Sequence, residues 1–176
     1  MSQFDAIVIG AGAAGLFCAA TAGQRGKRVL LLDHNDEVGR KILISGGGRC
    51  NFTNVHTAPD RYLSANPHFA KSALARYTPA DFIKLVDSYD IAWHEKTLGQ
   101  LFCAGSARQI VAMLLEECAK GAVTIRPGSE TGAVEHFDGQ FHVAGASAPA
   151  LVIATGGPSI PKLGATSFAY ELARQF

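Results

Sequence analysis

Three glycine-rich stretches hold most of the residues whose types and spacing suit chemistry. The first, Gly10-Ala11-Gly12-Ala13-Ala14-Gly15, is a GxGxxG hexapeptide. In such a turn the first glycine permits a tight bend and the second lets the backbone approach a pyrophosphate. The third lets a helix pack closely on a strand. A helix starting there aims free N–H groups and the positive end of its dipole at the phosphates. Asp33 follows about twenty residues on, where an acid accepts a ribose hydroxyl. An acid rather than a base at that point argues against a 2′-phosphate.

The second stretch is Leu151 to Ala154 followed by Thr155-Gly156-Gly157, a buried-type apolar run that ends in Ala-Thr-Gly. The third is the longest, from Gly39 through Arg40 and Lys41 to Ser45-Gly46-Gly47-Gly48-Arg49-Cys50-Asn51-Phe52-Thr53-Asn54. Consecutive glycines expose N–H groups to phosphate or ring oxygens. Arg40, Lys41 and Arg49 add positive charge, and Asn51, Thr53 and Asn54 add neutral donors and acceptors.

Several elements must position these residues. Ala6 to Ile9 reads as a buried parallel strand, Ala13 to Arg25 as a helix with small residues on one face, and Arg28 to Leu32 as the next strand. Together they make a βαβ unit. Gly39 to Asn54 reads as a long structured loop, which in a compact domain is usually functional. Asn66-Pro67 and Thr78-Pro79 look like helix starts with proline at the first helical position. Ser106 with Gln109 is a capping box. Val123 to Arg126 is a further strand. Asp138-Gly139 is a hairpin turn signal inside a predicted β-meander over about 129–150, with Thr131 near its start. From Ser167 the pattern Phe168, Leu172, Ala173 suggests a helix still in progress, so the chain is expected to be cut short.

The 176 residues are 48% hydrophobic with a formal net charge of +1, so a core is expected and bulk charge disfavours a nucleic-acid partner. Cys18, Cys50, Cys103 and Cys118 form no CxxC pair and have no zinc-ligand spacing, so no metal is expected. With no CxxC pair, a catalytic Cys50 is not supported, and Cys18 and Cys118 read as core. No histidine is assigned as a base, and Trp93 and Phe102 read as core packing. No signal peptide or membrane span is read, and a cytoplasmic location with free thiols follows as the expectation.

The SGGGRCN stretch with its flanking Gly39-Arg40-Lys41 and Thr53-Asn54 resembles the bacterial YhiN-like flavoproteins (aminoacetone-oxidase-type, BaiN/RdsA-like). The resemblance extends over the ATGG segment and Pro158 to Gly164, and so over nearly the whole chain. It implies the N-terminal portion of an NAD(P)/FAD-dependent enzyme, in which the third stretch wraps the flavin. The Ala-Thr-Gly strand end and the preceding meander also resemble flavin-dependent disulfide-reductase-like domains. Where the family usually carries Glu this chain has Asp33, and it lacks an expected glycine near Ala169. It is also about half the usual length.

The expected fold class is α/β: an incomplete Rossmann-type FAD-binding domain over residues 1–176, of the two-dinucleotide-binding flavoprotein type. It carries a β-meander and a helical insertion at about 60–120, and its C-terminal half is missing. The expected cofactor contacts are Gly10, Gly12, Ala13, Ala14, Gly15, Asp33, Arg40, Lys41, Ser45, Gly46, Gly47, Arg49, Cys50, Asn51, Thr53, Asn54, Thr131, Thr155, Gly156 and Gly157. No catalytic residue is assigned. The leading function is an FAD-dependent oxidoreductase acting on a small organic substrate, with NAD(P)H as a candidate electron partner. A non-catalytic flavin-binding fragment and an RNA-modifying flavoprotein are the alternatives. The latter needs a basic face that the net charge does not supply. A plain NAD-dependent dehydrogenase leaves the meander and both later glycine stretches unexplained. The oligomeric state is open.

Overall fold

Runs of β-branched residues and leucines set the frame. The computed structural model describes residues 2–157 and 166–176; Pro158 to Gly164, part of the family resemblance, falls outside them. In chain order the elements are β1 (Ser2–Gln3), β2 (Ala6–Ile9), α1 (Ala13–Gln24), β3 (Val29–Leu32), α2 (Arg40–Ile44), β4 (Asn51–Asn54), α3 (Lys71–Arg76), α4 (Pro79–Asp87), β5 (Trp93–Glu95) and β6 (Gln100–Cys103). They continue with α5 (Ala107–Lys120), β7 (Thr124–Arg126), β8 (Glu135–Phe137), β9 (Gln140–Val143), β10 (Ala146–Ala148), β11 (Leu151–Ile153) and α6 (Phe168–Gln175). The chain divides into two compact units, residues 1–41 with 114–176, and residues 42–113.

In the first unit β2 and β3 are apolar because both faces are covered. They lie at the centre of a four-stranded parallel sheet of order β11-β2-β3-β7. Ile7 is in register with Leu30 on one side and Leu151 on the other. The other sheet of this unit runs β1-β10-β9-β8, its last three strands forming the antiparallel meander. Asp138-Gly139 and Ala144-Gly145 both take left-handed backbone (φ 51°, 70° and 47°, 75°). That is the pattern of two-residue hairpin turns whose twist matches the strands. The sequence reading found the first turn but not the second, where alanine occupies the left-handed position. The strand expected from Thr131 begins only at Glu135.

The core of this unit joins Ile7, Ile9, Leu30 and Leu32 of the parallel sheet to Val143, Ala146 and Ala148 of the meander and Leu172 of α6. Each fully buried Leu or Ile contributes about 1.5–3 kcal/mol relative to exposure. The small residues of β10 let the layers approach. Gly23 at the end of α1 and Gly121 after α5 meet backbone to backbone; a Cβ on Gly23 would lie 2.4 Å from the Gly121 carbonyl oxygen.

The second unit holds α3, α4 and a three-stranded antiparallel sheet of order β4-β6-β5. It is therefore not purely helical. Gly39 to Asn54 is not a loop: it forms α2, a 3-10 turn over Ser45–Gly48 and β4. Gly46, Gly47 and Gly48 take φ of 58°, 68° and 83° in succession, which reverses the chain so that β4 can pair with β6. Glycine density there marks a tight reversal between regular elements.

Asn66-Pro67 starts no helix. Asn66 Oδ1 accepts from the His68 N–H at 2.9 Å in a local turn, and α3 begins at Lys71 with Ala70 before it. Thr78 does cap α4, exchanging bonds with Asp81 in a capping box. At α5, Gln109 Oε1 accepts from the Ser106 N–H at 3.2 Å, and the Ser106 hydroxyl accepts from Arg108 one residue earlier than expected. Trp93 is 37% exposed rather than core, and its indole N–H donates to Asp87 Oδ1 at 2.7 Å. Phe102 and Cys118 are buried, and Cys18 is half-buried. Among the described residues no helix is long and apolar enough to cross a membrane.

Candidate dinucleotide-binding site

Each glycine of the first motif has its own physical reason. Gly10 has φ 104°, and a Cβ there would lie 2.6 Å from the Ala154 carbonyl oxygen and 2.8 Å from Thr155 Cα. A Cβ on Gly15 would fall 1.7 Å from the Gly10 carbonyl oxygen, so α1 can sit on the β2 turn only without a side chain. Gly12 differs. Its φ of −83° is open to any residue, and a Cβ there would meet nothing within 4 Å. Neither conformation nor packing demands glycine at Gly12, which leaves a cradle that a side chain would fill.

That cradle opens on the N-terminus of α1. The helix has no side-chain cap and no acid in its first turn, and Ala13 and Ala14 are exposed. Its first N–H groups therefore point out with the positive end of the dipole, the arrangement that holds pyrophosphate.

Asp33 closes the far side. It is 8% exposed at the end of β3. Its Oδ2 accepts from the Ala11 N–H at 2.6 Å, and its Oδ1 from the Asn35 N–H and side-chain amide at 2.8 and 2.9 Å. A carboxylate has about four acceptor positions, so room for one further donor such as a ribose hydroxyl remains. The Arg40 guanidinium donates to Asn35 Oδ1, and the Gly39 N–H donates to the Ala11 carbonyl at 2.9 Å. The start of α2 is thereby tied to the same turn.

The segment after β7 completes this cluster. Gly128 donates to the Asn35 carbonyl at 2.9 Å and Ser129 to the Asp33 carbonyl at 2.8 Å. Thr131 follows in the same irregular segment, half-buried. The sequence reading missed Asn35, Gly128 and Ser129. Asn35 had a faint signal, lying two residues past the acid on a chain reversal; nothing local marked the other two. Thr155 and Gly156 follow β11 where it crosses Gly10, with the Ala154 N–H bonded to the Ile9 carbonyl at 2.8 Å. Gly10, Gly12, Ala13, Ala14, Gly15, Asp33, Arg40, Lys41, Thr131, Thr155, Gly156 and Gly157 thus all belong to the first unit.

Ser45, Gly46, Gly47, Arg49, Cys50, Asn51, Thr53 and Asn54 belong to the second unit. Ser45 donates its hydroxyl to the Ile42 carbonyl at 2.8 Å, and its own carbonyl accepts from the Cys50 N–H at 3.0 Å. Gly46 packs against the Phe102 ring, 2.6 Å from where a Cβ would be, whereas a Cβ on Gly47 would face open space. Asn54 is engaged internally: its amide donates to the Leu98 carbonyl at 2.9 Å and its Oδ1 accepts from the His56 N–H at 2.8 Å. The Asn51 amide likewise donates to the Thr53 and Leu101 carbonyls at 3.0 and 3.2 Å. Arg49 is exposed.

Cys50 is buried, and burial pushes its thiol above the ordinary range against an opposing hydrogen bond from Ser45. Across the β4–β6 ladder, burial and then the neighbouring Cys50 push Cys103 up to about 11. Neither thiol is poised as a thiolate nucleophile.

The family profile described as "HI0933-like protein Rossmann domain" matches residues 4–176. The chain is 59% identical over 180 residues to a protein named ribosomal RNA dihydrouridine synthase from Escherichia coli (strain K12), covering all of this chain and 45% of that protein. It is 52% identical to a protein of the same name from Haemophilus influenzae, covering 46% of it. A Clostridium scindens protein named 3-dehydro-bile acid delta(4,6)-reductase is 29% identical, with 95% of this chain and 42% of that protein covered. The chain therefore spans about half the length of these curated relatives. Among solved structures, OTEMO in complex with FAD and NADP aligns with a TM-score of 0.53 at 18% identity, over 89% of this chain and 26% of that one. NikD, an amino acid oxidase, aligns at 0.51 and 14% identity, over 90% and 53%. The fold is the Rossmann-type α/β fold of FAD-binding flavoproteins.

Proposed function

Since the chain belongs to the HI0933-like Rossmann family, we propose that it forms the FAD-binding part of a flavin-dependent oxidoreductase that reduces uridine in ribosomal RNA. The observation that carries the cofactor half of this reading is the empty space at Gly12, between an uncapped helix start and an acid with acceptor capacity to spare. The substrate half is supported by two relatives, more than half identical to this chain, named ribosomal RNA dihydrouridine synthases. That support outweighs the low net charge, which had set RNA aside. A reducing cytoplasm, where ribosomal RNA resides, suits the four free cysteines.

In this reading Gly10, Gly12 and Gly15 shape the turn, and the N–H groups of Ala13 and Ala14 receive the pyrophosphate. Asp33 takes a ribose hydroxyl, held in place by Ala11 and Asn35. Arg40 and Lys41 balance phosphate charge. Thr131, Thr155, Gly156 and Gly157 line the approach. The chemistry supplied by bound FAD is two-electron transfer, with NAD(P)H as the candidate donor. Dihydrouridine is uridine whose C5–C6 double bond has gained two hydrogens, so reductant and product balance. A small organic substrate is the second reading, favoured by the reductase at 29% identity.

The test has two arms. The purified protein should carry visible flavin absorbance that the Gly12→Asp variant lacks. Ribosomal RNA from a strain without the gene should lose a dihydrouridine, detected by mass spectrometry of nucleosides and restored by the wild-type gene alone. Folded protein that takes up no FAD would sink the cofactor reading. Unchanged dihydrouridine with flavin bound would leave a small substrate in its place.

A further inference from the structure

The second unit carries an exposed segment outside the residues assigned to the dinucleotide. Residues 60–69 are ten consecutive exposed positions. They include Leu63 at 99% exposure, Phe69 at 53% and Tyr62 at 43%. Large apolar side chains so placed mark contact surfaces when they cluster, and the Tyr62 and Phe69 rings do, edge to face at 6.1 Å. Tyr62 and Leu63, with Asp60, His68 and Lys71, border an open groove of about 500 Å³, within the roughly 300–1,000 Å³ of small-molecule sites.

The segment is built despite its exposure. Pro59–Arg61 forms a 3-10 turn. Asn66 bonds to Ser64 Oγ at 3.1 Å and accepts from His68 at 2.9 Å. A groove held by local turns is preorganised, which lowers the ordering cost of binding.

Charge identifies the partner. From Pro59 to Ala80 the ionised residues are Asp60, Arg61, Lys71 and Arg76, one acid against three bases. Lys71 and Arg76 are exposed and form no ion pair among the described residues. Arg61 has a loose contact with Asp60 at 3.7 Å. A net charge of +1 over the whole chain conceals this local excess. Aromatic faces for stacking bases, interleaved with unpaired cations for phosphates, are what single-stranded nucleic acid requires.

We propose that residues 59–76 form a docking surface for single-stranded RNA, with Tyr62 and Phe69 stacking on bases and Lys71 and Arg76 contacting phosphates. The proposal rests on the RNA-modifying reading above and locates its substrate contact.

The experiment uses the full-length flavin-loaded protein and a fluorescent single-stranded RNA dodecamer, read by anisotropy across a salt series. Anionic phosphatidylserine vesicles serve as the competing probe. The Lys71→Glu/Arg76→Glu variant should bind at least about tenfold more weakly, with a salt slope shallower by about 1.4 units. The Tyr62→Ala/Phe69→Ala variant should lose at least about thirtyfold at unchanged slope. Both should keep wild-type flavin content and melting behaviour, since the altered side chains are exposed. Wild-type RNA binding retained by both variants overturns the docking surface and leaves the RNA-modifying reading standing. If these substitutions abolish vesicle binding and spare RNA binding, the surface is a membrane contact and the proposal fails. No RNA binding by the wild type, together with unchanged ribosomal dihydrouridine in the deletion strain, overturns the RNA-modifying reading and the docking surface with it.

Discussion

Replacing Gly12 by Asp should make the protein more stable while removing its cofactor. Gly12 is the N-cap of α1, with φ −83°, ψ −169° and no side-chain cap on the helix. A Cβ there meets nothing within 4 Å, so the substitution brings no clash. An aspartate facing the positive helix end contributes about 0.3–1 kcal/mol, and replacing a glycine cap adds a few tenths. Restricting the unfolded chain adds about 0.4–1 kcal/mol. The total of about 1–2 kcal/mol corresponds to a rise in Tm of about 2–8 °C for a protein of this size. The same carboxylate fills the space the pyrophosphate needs. Two like charges about 4 Å apart repel by about 4 kcal/mol at an effective dielectric constant of 20, on the order of a thousandfold in affinity. Thermal melts without FAD and a titration with FAD measure the two effects separately. Gly15→Ala is the contrast: its Cβ would lie 1.7 Å from the Gly10 carbonyl oxygen, so stability and binding should fall together. A Gly12→Asp variant that binds FAD within about tenfold of wild type, or that melts early as Gly15→Ala does, would refute the assignment of that space to a ligand.

Asp33→Ala should cost about 1–3 kcal/mol in chemical denaturation, because the buried Ala11 N–H loses its acceptor, and it should also weaken FAD binding. Cys103 and Cys118, each pushed up to about 11 by burial, should resist alkylation at pH 8, where only about a thousandth of such a thiol is ionised. Rapid modification by iodoacetamide in the folded protein would contradict their burial. Asp81 is held below the ordinary carboxylate range, first by the Thr78 hydroxyl and then by the Thr78 N–H. A depressed carboxylate stabilises the fold above its unfolded pKa, and that contribution disappears as pH falls through the folded one. Thr78→Ala should therefore lower Tm at neutral pH and flatten its decline in acid; equal declines in both proteins would speak against the capping box as the cause.

The sequence by itself determined the first unit's frame. Short apolar runs at Ile7 and Leu30 are the habit of strands buried on both faces, as in a parallel sheet, and the GxGxxG spacing placed the turn between them. Gly10 and Gly15 are required by contacts within a few residues of chain or with one predictable neighbouring strand, so their roles were readable. The Asp138-Gly139 turn and the Thr78 cap are local in the same sense. What tertiary structure decided involves partners far away in sequence. Nothing near Asp33 announces that Gly128 and Ser129 will cross beside it, because that contact follows from β7 pairing with β3. Glycines at 46 to 48 read as loop residues, yet they serve a reversal whose purpose is pairing β4 with β6, some fifty residues on. Asn66-Pro67 had the composition of a helix start, but its side chain made a competing turn, and local hydrogen bonding prevailed over the pattern. The basic, aromatic surface of residues 59–76 was hidden by averaging: net charge sums over the chain, whereas a partner meets only the charges that the fold leaves exposed together.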